Sequence, residues 1–399
     1  MIRTLPNGLR VLPLRHGATP LAEARLHLPR PCRDRAGLAA STLLAACLSQ
    51  RDDNVEMSAA ADVHQITVTA YGPDLAAVTS ALAQAARGTA PAEPGSARAH
   101  LAAQLTMVRA HPDVMVRERL ARHLFGDHPA TLQVRPEDLG PLPSRPFDPR
   151  GATLVIAGRD DPGTLAGAAA AAFAAWDPPA SSRTPPAPLP PLPPLPPLPP
   201  LPAVDGGRIA ALPLPGAPQS RIRLRAPAVP PEHPRYPALF LALNVLGGYL
   251  SSRLSASLRE DKGYVYGVTT FFDTQHGGAL LAVEADTAAA TTGAALAALA
   301  AELRRMRTHP PTAEEIGAAR AYALGSMATR LAPRAAIASA LADMAAKGRD
   351  PLLVLDFPRR LEAVPASQVV AAAQEFFAPE RFSGLLAADP SALPRDLAL

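Results

Sequence analysis

The stretch "PPASSRTPPAPLPPLPPLPPLPPLPAVDGG", Pro178–Gly207, divides the chain. Repeated proline removes backbone donors and holds φ near one value, so neither a helix nor a central strand can run through it. It is expected to run as polyproline II at roughly 3.1 Å per residue, a semi-rigid spacer over 178–203 between domains at 1–177 and 204–399. What lies on either side then decides the fold.

The two sides read alike. "GLRVLPLR" from Gly8 opens the first and "GRIAALPLPGAPQSRIRLRAPAV" from Gly207 the second, both strand material broken by Pro and Gly. An apolar helix follows each, over 36–48 and 236–246, the latter with Leu239, Phe240, Leu243 and Leu246 near helical spacing. A period-two strand comes next. Ile66, Val68 and Ala70 alternate with Thr67, Thr69 and Tyr71, and Leu281, Val283 and Ala285 with Ala282, Glu284 and Asp286. Alanine-rich helices follow over 74–86 and 288–306, and each half closes on an apolar strand, "ATLVIAG" from Ala152 and "FSGLLAA" from Phe382. The repeated order predicts an internal duplication of α+β units, each an antiparallel-rich mixed sheet packed with helices, with function at a surface the two share.

Composition narrows the functional classes. A net charge of +4 on 399 residues, with the arginines scattered, argues against nucleic acid. Two cysteines, Cys32 and Cys47, exclude a disulfide scaffold and a cysteine-rich zinc site, and two free thiols in a reducing compartment are the plainer reading. No secretory segment or membrane span is visible, so a cytoplasmic chain is expected. Of ten histidines none forms a helical pair at three or four residues, and His123 and His128 are separated by Gly126. No G-x-S-x-G elbow is present either.

One polar, aromatic cluster stands out: "GGYLSSRLSASLREDKGYVYGV", Gly247–Val268. Ser251 or Ser252 is placed to cap a short helix with Leu254 and Leu258 on its buried face. Gly263 is placed to end that helix, and Arg259 to leave it near its C-terminal end. Tyr264 and Tyr266, two apart in the extended segment that follows, are expected to share a face. Local rules leave Arg259 open between a solvated charge, a structural ion pair and a binding group.

With "LNV" before it, this cluster resembles the second-half signature of the pitrilysin/insulinase group of zinc metallopeptidases, in its processing-peptidase-like branch. The signature comprises the Gly247-Gly248 turn, Ser252-Arg253-Leu254, Arg259, and Tyr266 seven positions later. "PNGLRV" near the start, the duplicated unit and "HLFGDHP" extend the resemblance across nearly the whole chain.

The resemblance implies an inverted HxxEH zinc motif in the first half of a catalytic chain. Here "GLAASTLLAA" puts Ala40 and Leu44 at the histidine positions and Leu43 at the glutamate position, and Gln104 falls near the remaining ligand. Methyl and isobutyl groups offer zinc no lone pair and its water no base, so no metal is expected on this chain and no hydrolysis by it alone. Some members of the group work as heterodimers. The resemblance therefore implies a homologous HxxEH partner that holds Zn, a peptide substrate, and an assisting role for Arg259 and Tyr266, with Gly247, Gly248 and Tyr264 as further substrate-binding candidates. Neither nucleic acid nor a membrane is an expected partner. A structural scaffold subunit and a peptide-binding module that never cleaves are the competing expectations.

Overall fold

A computed structural model describes residues 2–51, 54–87, 94–142, 147–177, 201–274, 278–395, 397 and 399. In chain order the first half contains β1 (Arg3–Thr4), β2 (Arg10–Arg15), β3 (Ala22–Pro29), α1 (Arg35–Leu48), β4 (Gln50–Arg51), β5 (Glu56–Ala61), β6 (Gln65–Gly72), α2 (Leu75–Ala86), α3 (Pro94–Arg109), α4 (Pro112–Phe125), β7 (Thr153–Gly158) and α5 (Pro162–Phe173). The second contains β8 (Ile209–Pro213), β9 (Gln219–Pro227), α6 (Tyr236–Gly247), a π-helix (Ser255–Asp261), β10 (Val265–Asp273), β11 (Leu280–Ala288), α7 (Thr292–Thr308), α8 (Ala313–Leu331), α9 (Arg334–Ala346), α10 (Leu352–Glu362), α11 (Ala366–Phe376) and β12 (Ser383–Ala388). The expected α+β class holds. Of the proline-rich spacer, residues 178–200 lie outside the described residues.

Two mixed sheets carry the architecture, ordered β1-β2-β7-β3-β6-β5-β4 and β10-β11-β9-β12-β8. Five strands of each follow one plan. β2 runs parallel to β7 as β8 does to β12, and every other pairing along β7-β3-β6-β5 and β12-β9-β11-β10 is antiparallel. The registers correspond residue by residue: Ala24 lies opposite Ile156 and Ala70, as Ile222 lies opposite Leu386 and Ala285. The duplication legible in the sequence is thus a duplication of sheet topology.

The chain separates into two compact units, and neither is a contiguous half. The first comprises the described residues within 1–110, 132–200 and 330–354, the second those within 111–131, 201–329 and 355–399. Helix α9, from the second half of the sequence, therefore belongs to the first unit, and α4, from the first half, to the second. This differs from the boundaries at 177 and 204 expected from the proline stretch. The cause lies in the closing strands, whose residues are buried on both faces. In β7, Leu154 and Ile156 enter the main core, while Val155 and Ala157 pack beneath Ile337, Ala338, Leu341 and Ala342 of α9. In β12, Leu386 enters the second core, while Leu385 and Ala387 pack beneath Val116 and Leu120 of α4. A run such as "TLVIAG" demands cover on both sides of the sheet, and it does not say which segment provides it.

Candidate functional site

The cluster at 247–268 lies wholly in the second unit. Helix α6 leads into it and ends at Gly247, where the chain passes so close to β10 that a Cβ would stand 2.4 Å from Thr270 Cγ2 and 3.2 Å from Leu254 Cδ1. Gly247 is buried, and its missing side chain allows this approach. At Gly248 a Cβ would meet Asn244 Oδ1 at 2.3 Å. Both glycines are accounted for by packing.

The helix that follows is a π-helix, a wider form than the one expected. Leu254 and Leu258 are fully buried beneath it, as their spacing predicts. Neither serine caps it as expected. Ser252 is buried, and its hydroxyl donates to Ser255 Oγ at 3.2 Å, which in turn donates to the Tyr249 carbonyl at 3.2 Å. Arg253 fixes the start of the segment. Its guanidinium, 9% exposed, forms a bidentate pair with Glu315 at 2.7 and 2.8 Å and donates to the carbonyls of His309 (2.7 Å) and Pro310 (3.3 Å). Glu315 also accepts from the Thr312 backbone N–H at 2.8 Å, and the Thr312 hydroxyl accepts from the Glu315 N–H, a capping box that opens α8. The Arg253 hydrogen bonds lower the Glu315 carboxyl pKa to about 2. At the far end, Lys262 Nζ donates to Ser257 Oγ at 2.6 Å, and Gly263 closes the helix at φ +62°.

Between these two locks Arg259 is displayed to solvent, its side chain 43% exposed, with Glu260 at 3.5 Å as an exposed neighbour. The Tyr264 N–H donates to the Leu258 carbonyl at 2.8 Å, and strand β10 begins at the next residue. There the register jumps: Val265 pairs with Thr287 and Gly267 with Asp286, so Tyr266 is an extra residue, a β-bulge on an edge strand. The surroundings of Tyr264 and Tyr266 differ. Tyr264 is half-buried and packs on the core, whereas Tyr266 is 89% exposed, the most exposed large hydrophobic residue described. The structure places Arg259 and Tyr266 on consecutive, mutually packed elements and keeps the side chains of both in water.

The first-half positions are of another kind. On α1, Leu43 is fully buried in a cluster with Cys32, Leu38, Cys47 and Leu101, and Leu44 is buried in the main core of its unit. Ala40 is half-buried on the same helix, and Gln104 is exposed on α3. These residues do not fit a zinc ion: three are hydrocarbon, and two of the three are packed against other hydrocarbon. Among the described residues no group of three or more His, Cys, Asp or Glu could hold a metal ion. His123 Nε2 meets the Arg208 carbonyl at 3.2 Å and His128 Nδ1 accepts from the Ala130 N–H at 3.1 Å, both structural bonds. Cys32 and Cys47 are buried and unpaired, and no described helix is long and apolar enough to cross a membrane.

A family model described as "Peptidase M16 inactive domain" matches residues 144–322, a span that includes the whole Arg259/Tyr266 cluster. The match spans less than half of the chain, and over that span the chain is similar to the M16 peptidase family. No curated protein matches the chain. Solved structures share the M16-like fold from end to end. A peptidase M16 inactive domain from Pseudomonas fluorescens is 17% identical, with 100% of this chain and 99% of that one covered and a TM-score of 0.79. A chain of Complex III2 from Candida albicans, Inz-5 bound, is 17% identical over 97% of this chain and 94% of that one, at a TM-score of 0.75. The periplasmic protease PqqL from Escherichia coli is 14% identical over 97% of this chain and 45% of that one, at 0.74. At these identities the likeness is one of fold. Sequence reasoning had located the M16-like cluster but missed two of its supports, Glu315 and Thr287; the T-A-E-E capping pattern at Thr312 was the available signal for the first.

Proposed function

We propose that this chain is the non-catalytic subunit of a heterodimeric zinc metalloendopeptidase, completing a peptide-binding cleft around a site whose zinc and general base belong to a homologous HxxEH partner. The observation that carries the reading is the contrast between Tyr266 and Leu43. A bulge holds a phenol in water where the resemblance sets an assisting tyrosine, while hydrocarbon packing fills the position it sets for the general base. Arg259 is suited to donate to a substrate carbonyl or carboxylate, and the Tyr266 phenol to the oxyanion that develops as the carbonyl is attacked. Two buried thiols suit a reducing compartment, and the cytoplasm is retained as the location on that basis.

The test is peptide hydrolysis by this chain, by a co-purified HxxEH partner, and by their mixture. Neither alone is expected to match the mixture. Arg259→Ala and Tyr266→Phe should each lower kcat/KM of the mixture by roughly a hundredfold, the cost of removing one oxyanion donor, with unchanged unfolding temperatures. If the wild-type chain leaves partner activity unaltered, the reading is lost. The similarity to a Complex III2 chain favours one second reading, a scaffold subunit, which a stable complex containing no peptidase would support. Peptide capture by this chain alone, insensitive to chelator and lost in Arg259→Ala, would instead mark a binding module.

A further inference from the structure

The Tyr264 carbonyl, one residue before the strand whose bulge presents Tyr266, is held by a side chain of the neighbouring strand. Thr287, opposite Val265 on β11, is 2% exposed, and its hydroxyl donates to the Tyr264 carbonyl at 2.6 Å. A second hydroxyl, Thr291 Oγ1, lies 2.7 Å from Thr287 Oγ1 and 3.4 Å from the same carbonyl. Each hydroxyl has one proton. An arrangement that satisfies all three groups runs from Thr291 to Thr287 to the carbonyl, with the Ala288 carbonyl, 3.2 Å from Thr291 Oγ1 and 3.4 Å from Thr287 Oγ1, as a further acceptor.

Thr291 ends the 3-10 turn Ala289–Thr291 that leads into α7, and its hydroxyl turns back towards Thr287 and the Ala288 carbonyl, 3.2 Å away, making no cap bond to the first turn of α7. By register, the counterpart of Thr287 in the first unit is Gly72, which has no side chain to donate: Ala22 lies opposite Gly72 as Ser220 lies opposite Thr287. There the β5–β6 pairing ends with Glu56 opposite Tyr71, and the N-cap of α2, Asp74, accepts from the Ala76 N–H at 2.8 Å. The hydroxyl that holds the Tyr264 carbonyl thus has no counterpart in the first unit.

We infer that Thr287, supported by Thr291, is a positioning residue for Tyr266. It does not touch substrate; it fixes the backbone of residues 264–266 so that the phenol is held at one place. The catalytic consequence rests on the subunit role proposed above, whereas the backbone consequence stands apart from it. Thr287→Val removes the donor at nearly constant volume, Thr287→Ser retains it, and Thr291→Val, at a more accessible site, weakens the chain of bonds without emptying the core.

Two measurements on the full chain test this. Amide hydrogen exchange over residues 264–267 should quicken at least tenfold in Thr287→Val and less in Thr291→Val, with Thr287→Ser like wild type. In the mixture with the HxxEH partner, Thr287→Val should lower kcat by roughly ten- to a hundredfold with KM little changed, and serine should restore it. Exchange at wild-type rates in both valine variants, or full stimulation by Thr287→Val, would overturn the inference. Should Thr287→Val not fold, Thr291→Val and Thr287→Ser decide it by the same two measurements. Quickened exchange in a chain whose wild type never stimulates the partner would sustain the clamp and remove the subunit reading.

Discussion

Leu43 and His27 show how far a single side chain constrains this molecule. Leu43, which the resemblance sets at a glutamate position, is closed in by Leu38, Leu101 and two thiols. Leu43→Glu is therefore expected to cost about 3 kcal/mol or more, through an unpaired buried carboxyl, without creating zinc affinity; thermal unfolding and zinc titration check both. His27, on β3, is 3% exposed, with Nδ1 3.0 Å from the Thr67 hydroxyl. Burial, with a smaller contribution from the Arg25 charge, lowers its pKa from 6.5 to about 4. The fold thus prefers the neutral ring and the unfolded chain binds the proton more readily. Its contribution is complete above about pH 6.5 and falls as pH drops towards 4, by up to about 3 kcal/mol. Denaturant unfolding across that range should show the loss, and His27→Asn should flatten it.

At the scale of elements, the frame around Arg259 is held by ion pairs as well as by packing. Removing Arg253 strands Glu315 and two carbonyls, so Arg253→Ala should cost about 3 kcal/mol, moderated because Glu315 keeps access to water. Because that pair depresses the Glu315 pKa from 4.5 to about 2, its contribution is present above pH 4.5 and disappears as pH falls through 2; acid titration of wild type against Glu315→Gln measures it. On the opposite face of the sheet, Arg225 is 5% exposed and pairs with Asp273 (2.9 Å) and Glu284 (2.6 Å). Arg225→Ala should be the more damaging substitution, at about 3–5 kcal/mol by denaturant unfolding. Alternation made β6 and β11 legible in the sequence: β6 buries one face, and β11 alternates in burial beyond Val283. The bulge was not legible, because "YVYG" reads as alternating and only the pairing of Gly267 with Asp286 reveals the additional residue. The π-helix escaped for a similar reason: Leu254 and Leu258 satisfy α-spacing and π-spacing alike at that length.

Across the whole molecule, the order of elements was readable because each half repeats it, whereas the exchange of α4 and α9 was not. A continuous apolar strand states that both faces need cover, and which helix provides it is a tertiary choice. The exchange has a measurable result. Residues 1–177 alone lack α9 and leave Leu12, Val155 and Ala157 bare, while residues 204–399 alone lack α4 and uncover Leu385 and Ala387. Either fragment should be poorly soluble by itself, and co-expression of the two should recover soluble protein, as sedimentation of the products would show. Such a pair of fragments would reconstitute by trading helices, since each carries a helix that belongs to the other's unit. Cleavage of the chain between residues 177 and 204 should therefore leave the two products associated, because each would already hold a piece of the other's unit.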